Sequence, residues 1–183
     1  MSDSWALTLQ PALARPDLLG EPVLAALERM SGAAGAIEVA EIDPELADTA
    51  AFCARYDVAL DESANCVLVA GRRGGETKMA AALVLATTRA DVNGVLRRLL
   101  DVRKASFASR EAATGETGME YGGITPIGLP AGWPIYLDGM VAAAPRVVIG
   151  SGLRRSKLVL AGELLASLPG VTVVDDLAVP VGG

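Results

Sequence analysis

The stretch Thr117-Gly118-Met119-Glu120-Tyr121-Gly122-Gly123-Ile124-Thr125-Pro126-Ile127-Gly128 sets four glycines around one proline, between two more regular halves of the chain. Gly122 and Gly123 can take backbone angles closed to other residues. Pro126 fixes its own φ, holds Thr125 extended and donates no hydrogen bond. The stretch therefore reads as a shaped loop whose backbone N–H groups can face a ligand carbonyl or phosphate. The same composition also suits a plain surface turn between two elements, so its meaning depends on what surrounds it.

Upstream, residues 1–19 mix Pro11, Pro16 and apolar residues and read as an irregular or partly helical lead-in. Pro22 suits a first helical turn, followed at helical spacing by Val23, Leu24, Ala26, Leu27 and Met30. Residues 36–42 alternate as a half-buried strand does. Asp43-Pro44-Glu45 is a helix start, and that helix should stop near Tyr56-Asp57. Cys66 to Ala70, a turn at Gly71-Arg72-Arg73-Gly74-Gly75 and Lys78 to Ala86 read as a hairpin. Thr88 or Asp91 can cap the next helix, Val102 to Ala108 suits a short strand, and Ser109 can cap Arg110-Glu111-Ala112-Ala113. Beyond the loop come strands at 134–138, 146–150, 158–160 and 171–174, helical turns at 140–144 and 161–168, and an acidic, apolar tail. Helices mixed with hairpins predict an α+β domain with a mixed sheet rather than a doubly wound nucleotide-binding fold. Gly71 to Gly75 is no phosphate-binding P-loop, because no Gly-Lys-Ser/Thr end follows it.

A length of 183 residues suits one domain, 1–183, with no linker or internal repeat. Hydrophobic residues make up 51% and aromatics only 4%, so Ala, Val and Leu must fill the core and aromatic stacking platforms are disfavoured. Histidine is absent, which excludes Ser-His-Asp and Cys-His chemistry and any histidine base. Cys53 and Cys66, the two cysteines, cannot make a four-ligand zinc site alone; they read as small buried thiols in a reducing cytosol. No metal or cofactor is expected. Met1 to Trp5 lacks a basic region followed by an apolar run, so no signal peptide is expected; the run from Met79 to Ala86 is too short to span a membrane, and the expected location is cytoplasmic. The net charge of −6 is unevenly spread: residues 1–71 carry −9, residues 72–157 carry +6, and the remainder −3. The basic middle reads either as scattered solvated charge or as a local phosphate-binding face on an acidic protein.

These residues together resemble the YbaK/ProX-type aminoacyl-tRNA deacylases, the group that includes the editing domain of bacterial prolyl-tRNA synthetases. The resemblance covers about residues 20–178. It rests on Thr117-Gly118 with Gly122-Gly123-Ile124-Thr125-Pro126-Ile127-Gly128, similar to the family's Gly-x-x-x-Pro loop. It also rests on Leu83-Val84-Leu85-Ala86-Thr87, on Lys104 with Phe107-Ala108, and on Gly150-Ser151-Gly152 with Arg154. It implies a mixed, largely antiparallel, barrel-like sheet flanked by helices. It also implies hydrolysis in trans of the ester of a mischarged aminoacyl-tRNA, without a protein nucleophile. The backbone of Gly122, Gly123, Ile124, Thr125 and Pro126 would position the carbonyl for a water or the vicinal ribose hydroxyl. Gly150, Ser151, Gly152, Lys104 and Arg154 would contact substrate. The implied partners are the 3′ end of an aminoacyl-tRNA and, among proteins, an aminoacyl-tRNA synthetase. Missing histidine and a backbone-rich loop agree with an oxyanion held by main-chain donors.

One residue departs from the family pattern. Where the family carries lysine at the start of the strand after the second helix, this chain has Asn65-Cys66-Val67. A lysine offers about 1 kcal/mol or more of charge-assisted bonding beyond a neutral donor. Asn65 therefore leaves two alternatives beside full activity: altered recognition, or a catalytically weak or inactive module that binds tRNA ends or a protein partner. Lys104 and Lys78 are the two lysines considered as substitutes, with ordinary surface roles as the competing reading. Ser151 is read equally as a group that orients water or the substrate amine and as a strand-end turn residue. A nucleotide-binding regulator has only the glycine loop behind it.

Overall fold

The computed structural model describes residues 5–181. The chain runs through β1 (Leu9–Pro11), α1 (Glu21–Arg29), β2 (Glu38–Glu41), α2 (Thr49–Tyr56) and the long hairpin β3 (Ala64–Arg73) and β4 (Glu76–Leu85). Next come β5 (Thr88–Ala90), a wide turn at Val92–Leu96 continuing into α3 (Arg97–Leu99), β6 (Lys104–Phe107) and α4 (Arg110–Thr117). After the glycine loop follow β7 (Ile135–Asp138), α5 (Gly139–Ala142), β8 (Val147–Gly150), β9 (Ser156–Leu160), α6 (Gly162–Ala166), β10 (Val171–Val174) and β11 (Ala178–Pro180).

The strands form open sheets rather than a closed barrel. A five-stranded sheet has the order β10-β7-β4-β3-β6; β10, β7 and β4 run parallel and the other pairs antiparallel. An antiparallel four-stranded sheet has the order β1-β2-β9-β8. The pair β5–β11 makes a small third sheet. A parallel bridge between Ser63 and Val148 joins the two larger sheets near the start of β3. The mixed, mostly antiparallel α+β class expected from the sequence is the one observed.

The apolar residues decide this arrangement. Ala80, Ala81, Ala82 and Leu83 of β4 are all fully buried, as expected for a strand covered on both faces. Their small size lets cover approach from both sides. On one side, Leu83, Leu137, Leu158 and Leu165 pack with Val23 and Leu27 of α1. On the other, Val69, Ala80, Ala82 and Val84 pack with Val95, Leu96 and Leu177. A third cluster sets Phe52 and Cys53 of α2 against Val148 and Val159. Both cysteines are free.

Several boundaries differ from the sequence expectation, each for a local reason. The hairpin strands continue through Gly71-Arg72-Arg73, and Gly74 and Gly75 alone form the turn, with φ of +59° and +85°. Two central residues at positive φ match the twist of a tight hairpin. Asp43 does cap, accepting from Glu45 N at 2.9 Å, but only a single turn at Pro44–Leu46; α2 begins afresh at Thr49. Thr88 lies in β5, and Asp91 is the cap, accepting from Gly94 N at 2.9 Å and Val95 N at 3.1 Å. The lead-in holds β1, and the tail holds β11. Because Asp91 satisfies two otherwise orphaned N–H groups, Asp91→Ala should cost about 1 kcal/mol, measurable by chemical denaturation.

Candidate functional site

The glycine loop is anchored at both ends and in its middle. Gly118, in the left-handed region, ends α4, while Met119, Thr125 and Ile127 are buried. Gly123 N donates to Glu120 O at 2.9 Å, closing a turn around Tyr121-Gly122. The loop then lies against the residues after β8. Gly152 N donates to Gly123 O at 2.7 Å, and Glu120 N donates to Gly152 O at 3.0 Å. The Arg154 amide donates to Glu120 Oε2 at 2.7 Å, and its guanidinium donates to Tyr121 O and Pro44 O, each at 3.1 Å. Side chains would prevent this approach: a Cβ on Gly150 would lie 2.5 Å from both Gly123 O and Ile124 O, and one on Gly123 would lie 2.5 Å from Leu153 O.

In front of this contact lies a cavity of about 400 Å³. Gly122, Ile124 and Gly150 line one side, Asn65 and Thr49 another, and Lys157 belongs to the same lining. The N–H groups of Gly122 and Ile124 donate to no group among the described residues. Thr49 Oγ1 donates to Asn65 Oδ1 at 2.7 Å, which fixes the carboxamide and leaves its nitrogen as a donor. Phe107 and Tyr121 also line the cavity and are 60% and 48% exposed, with the Arg110 guanidinium 4.7 Å above the Tyr121 ring.

Lys157 reaches this place through the alternation of β9. Ser156, Leu158 and Leu160 turn to the main core side, while Lys157 and Val159 face α2. Lys157 pairs with Gly150 across the ladder, where the glycine loop packs in place of a side chain. Its Nζ donates to Ala47 O at 3.2 Å and lies 5.4 Å from the centre of the Phe52 ring. Lys157 makes no ion pair among the described residues. Burial, which disfavours the charged form, lowers its pKa to about 8, with Arg154 adding to the lowering and Cys53 and Asp48 opposing it.

The chain matches the aminoacyl-tRNA editing domain family over residues 43–168. It belongs to that family. Among solved structures, a candidate trans-editing enzyme for prolyl tRNA synthetase is 24% identical with a TM-score of 0.72, covering 85% of this chain and 94% of that one. A scaffold protein from epitope backbone grafting by computational design gives 24% identity and a TM-score of 0.72, covering 85% and 95%. A hypothetical protein gives 18% identity and a TM-score of 0.72, covering 83% and 97%. These likenesses are of fold. No curated protein matches.

Within this editing domain, the residues singled out from the sequence fall in distinct places. Gly122, Ile124, Asn65 and Gly150 line the cavity, and Gly123 stands behind it in contact with Leu153. Thr125 is fully buried, and its Oγ1 has no hydrogen-bond partner among the described residues. Pro126 faces a different hollow of about 760 Å³, beside Leu129 and Trp133. Ser151 is fully buried and bonded inward, to Ser156 Oγ at 2.7 Å and Ser156 O at 3.1 Å; Ser156 Oγ in turn donates to Leu18 O at 2.7 Å. Gly152 holds the loop by its backbone, and Arg154 clamps it by its side chain. Lys104 lies apart, in a groove of about 1170 Å³ with Arg72 and Lys78 that meets the cavity at Phe107 and Ala108. Lys78 is tied there to Leu100 O at 3.2 Å. Neither lysine considered as a substitute for the family lysine lines the cavity with Asn65. Lys157 does, and the signal for it was the one charge in the buried strand Ser156–Leu160. Thr49, at the start of α2, carried no comparable signal. No group of three or more metal-ligating side chains suited to a metal ion occurs among the described residues, and none of their helices is long and apolar enough to cross a membrane.

Two stability effects follow. Gly150→Ala should cost about 1–3 kcal/mol, because its methyl group meets two carbonyl oxygens rather than flexible side chains; a denaturant midpoint measures it. Lys157 binds its proton more weakly folded than unfolded, so stability should rise with pH between about 8 and 10.5, by on the order of 3 kcal/mol at most. The difference between the pH–stability curves of the wild type and Lys157→Met should carry that rise.

Proposed function

We propose that this editing domain hydrolyses the ester of a mischarged aminoacyl-tRNA in trans, in the cytoplasm, at the cavity between the glycine loop and Asn65. The observation that carries the reading is the pair of N–H groups, at Gly122 and Ile124, that donate to no group among the described residues and belong to residues on the cavity wall. Donors held in that way can stabilise the negative oxygen that forms as water attacks the carbonyl, with no histidine needed. Family membership supports the reaction class.

The surroundings fit a nucleic-acid end. Only seven aromatic residues occur in the chain, yet both of the exposed ones, Phe107 and Tyr121, stand on this cavity. Such rings can stack on a terminal base. The groove with Arg72, Lys78 and Lys104 continues from Phe107 and can follow the phosphates behind that base. The cavity volume suits a small amino acid, a class that binding alone separates poorly and that editing is needed to remove.

Deacylation of a panel of mischarged tRNAs, including alanyl- and cysteinyl-tRNA(Pro), tests the proposal. Hydrolysis of at least one member is expected. Gly122→Ala should lower it by about 100-fold or more, the scale for losing one oxyanion donor, since Gly122 has a φ of +89° that a side chain strains. Asn65→Ala should lower it as well, by removing the cavity donor that Thr49 orients. No hydrolysis across the panel, with tRNA binding retained, would replace the enzyme by a binding module.

A further inference from the structure

Of the three lysines in the chain, Lys157 alone is buried. The fold gives it little in return. One proton of its ammonium is taken by Ala47 O, and one flank lies against the Phe52 ring. No carboxylate pairs with it among the described residues. A charge taken out of water without a partner destabilises a fold, and an apolar chain of the same length would serve the packing between α2 and β9 better. The position opens onto the cavity that Asn65, Gly122 and Ile124 also line.

We propose that Lys157 is the cationic group of this site, and that it binds an anionic oxygen of the substrate next to the ester. The inference rests on the deacylase reading for what the substrate is, but not for the existence of the cation site. Position 65 supplies only a neutral donor, so the charge enters the same cavity from the neighbouring sheet. Two oxygens offer the same chemistry: the phosphodiester at the 5′ side of the terminal nucleotide, and the oxygen of the tetrahedral carbon formed during hydrolysis. In that reaction water forms the new carbon–oxygen bond, the ester carbon–oxygen bond breaks, and the ribose oxygen leaves with a proton released by the water. Lys157 keeps its own proton and holds charge only.

The groups facing Lys157 set its response to pH. Asp48 and Cys53 approach from α2 and the turn before it, Arg154 from the turn after β8, and the Phe52 ring from α2. The lysine is charged below about pH 8 and loses its charge above. A cation role therefore predicts binding that weakens as pH rises through that value.

The test uses the full chain, with the trinucleotide CCA carrying an amide-linked alanine on its 3′ end as a stable probe. Binding is measured from pH 6 to 10, alongside deacylation, for the wild type and Lys157→Met. The variant should melt at or above the wild-type temperature at pH 7, yet bind the probe about tenfold or more weakly, the scale of one charge-assisted contact. Its affinity should be flat between pH 7 and 9, where that of the wild type falls. A rise in KM with kcat kept would mark the phosphodiester as the bound oxygen; a fall in kcat would mark the oxygen of the tetrahedral carbon. A wild type that binds the probe but hydrolyses nothing would end the deacylase reading and leave Lys157 to be judged by binding. Lys157→Met within twofold of wild type, the same pH fall in the variant, or a wild type that binds no probe would each overturn the assignment.

Discussion

Backbone lies directly on backbone where the glycine loop meets the end of β8. Gly150 has no room for a methyl group beneath the carbonyls of Gly123 and Ile124, and Gly123 has none over Leu153. The other parts of the site follow from that approach. It brings Gly152 N within 2.7 Å of Gly123 O, it lets Arg154 reach across to Tyr121 O, and it sets Gly122 and Ile124 on the cavity that Asn65 also lines. A loop held by side chains could adapt to a substitution. One held by peptide groups at contact distance has few ways to yield, because packed interiors respond to even one added methylene. That stiffness suits donors that must already be placed when charge develops.

The polar side of the cavity is built on the opposite principle. Asn65 is oriented by a single hydroxyl, and Lys157 by one carbonyl and a ring face. These contacts fix direction while leaving donors unspent. The serine pair beneath, Ser151 and Ser156, is by contrast consumed internally and linked on to Leu18 O. The turn after β8 thus has a structural layer facing the core and a polar layer facing the cavity, separated by one strand's alternation.

Much of this was legible in the residues, and the failures have physical causes. The glycine loop, the hairpin, the caps at Asp91 and Ser109 and the stop at Asp57 follow from local chemistry, which a linear reading can use. β1 and β11 did not announce themselves, since three-residue strands are set by their partners β2 and β5 rather than by their own propensity. For the same reason Thr88 read as a cap when its real constraint is a ladder to Pro180. Lys104 and Lys78, the substitutes the sequence offered beside Asn65, both lie nearer to it along the chain than Lys157 does. The sheet order instead brings position 157 there, through the pairing of β8 and β9 and the bridge from Ser63 to Val148. Distance along the chain is a poor guide wherever a site is assembled at the junction of two sheets.

That sheet order also bears on how the protein is born. The β3–β4 hairpin pairs residues close in sequence and can close as soon as it leaves the ribosome. β2 has no such option: apart from the short β1, its neighbour is β9, more than a hundred residues later. β5 likewise waits for β11. Non-local pairing of this kind slows folding and leaves strand edges uncovered meanwhile. A nascent chain would therefore hold a finished hairpin and two unsealed edges until nearly all of it had been synthesised, and the cavity, which needs β8 and β9 for one wall, would be among the last features to take shape.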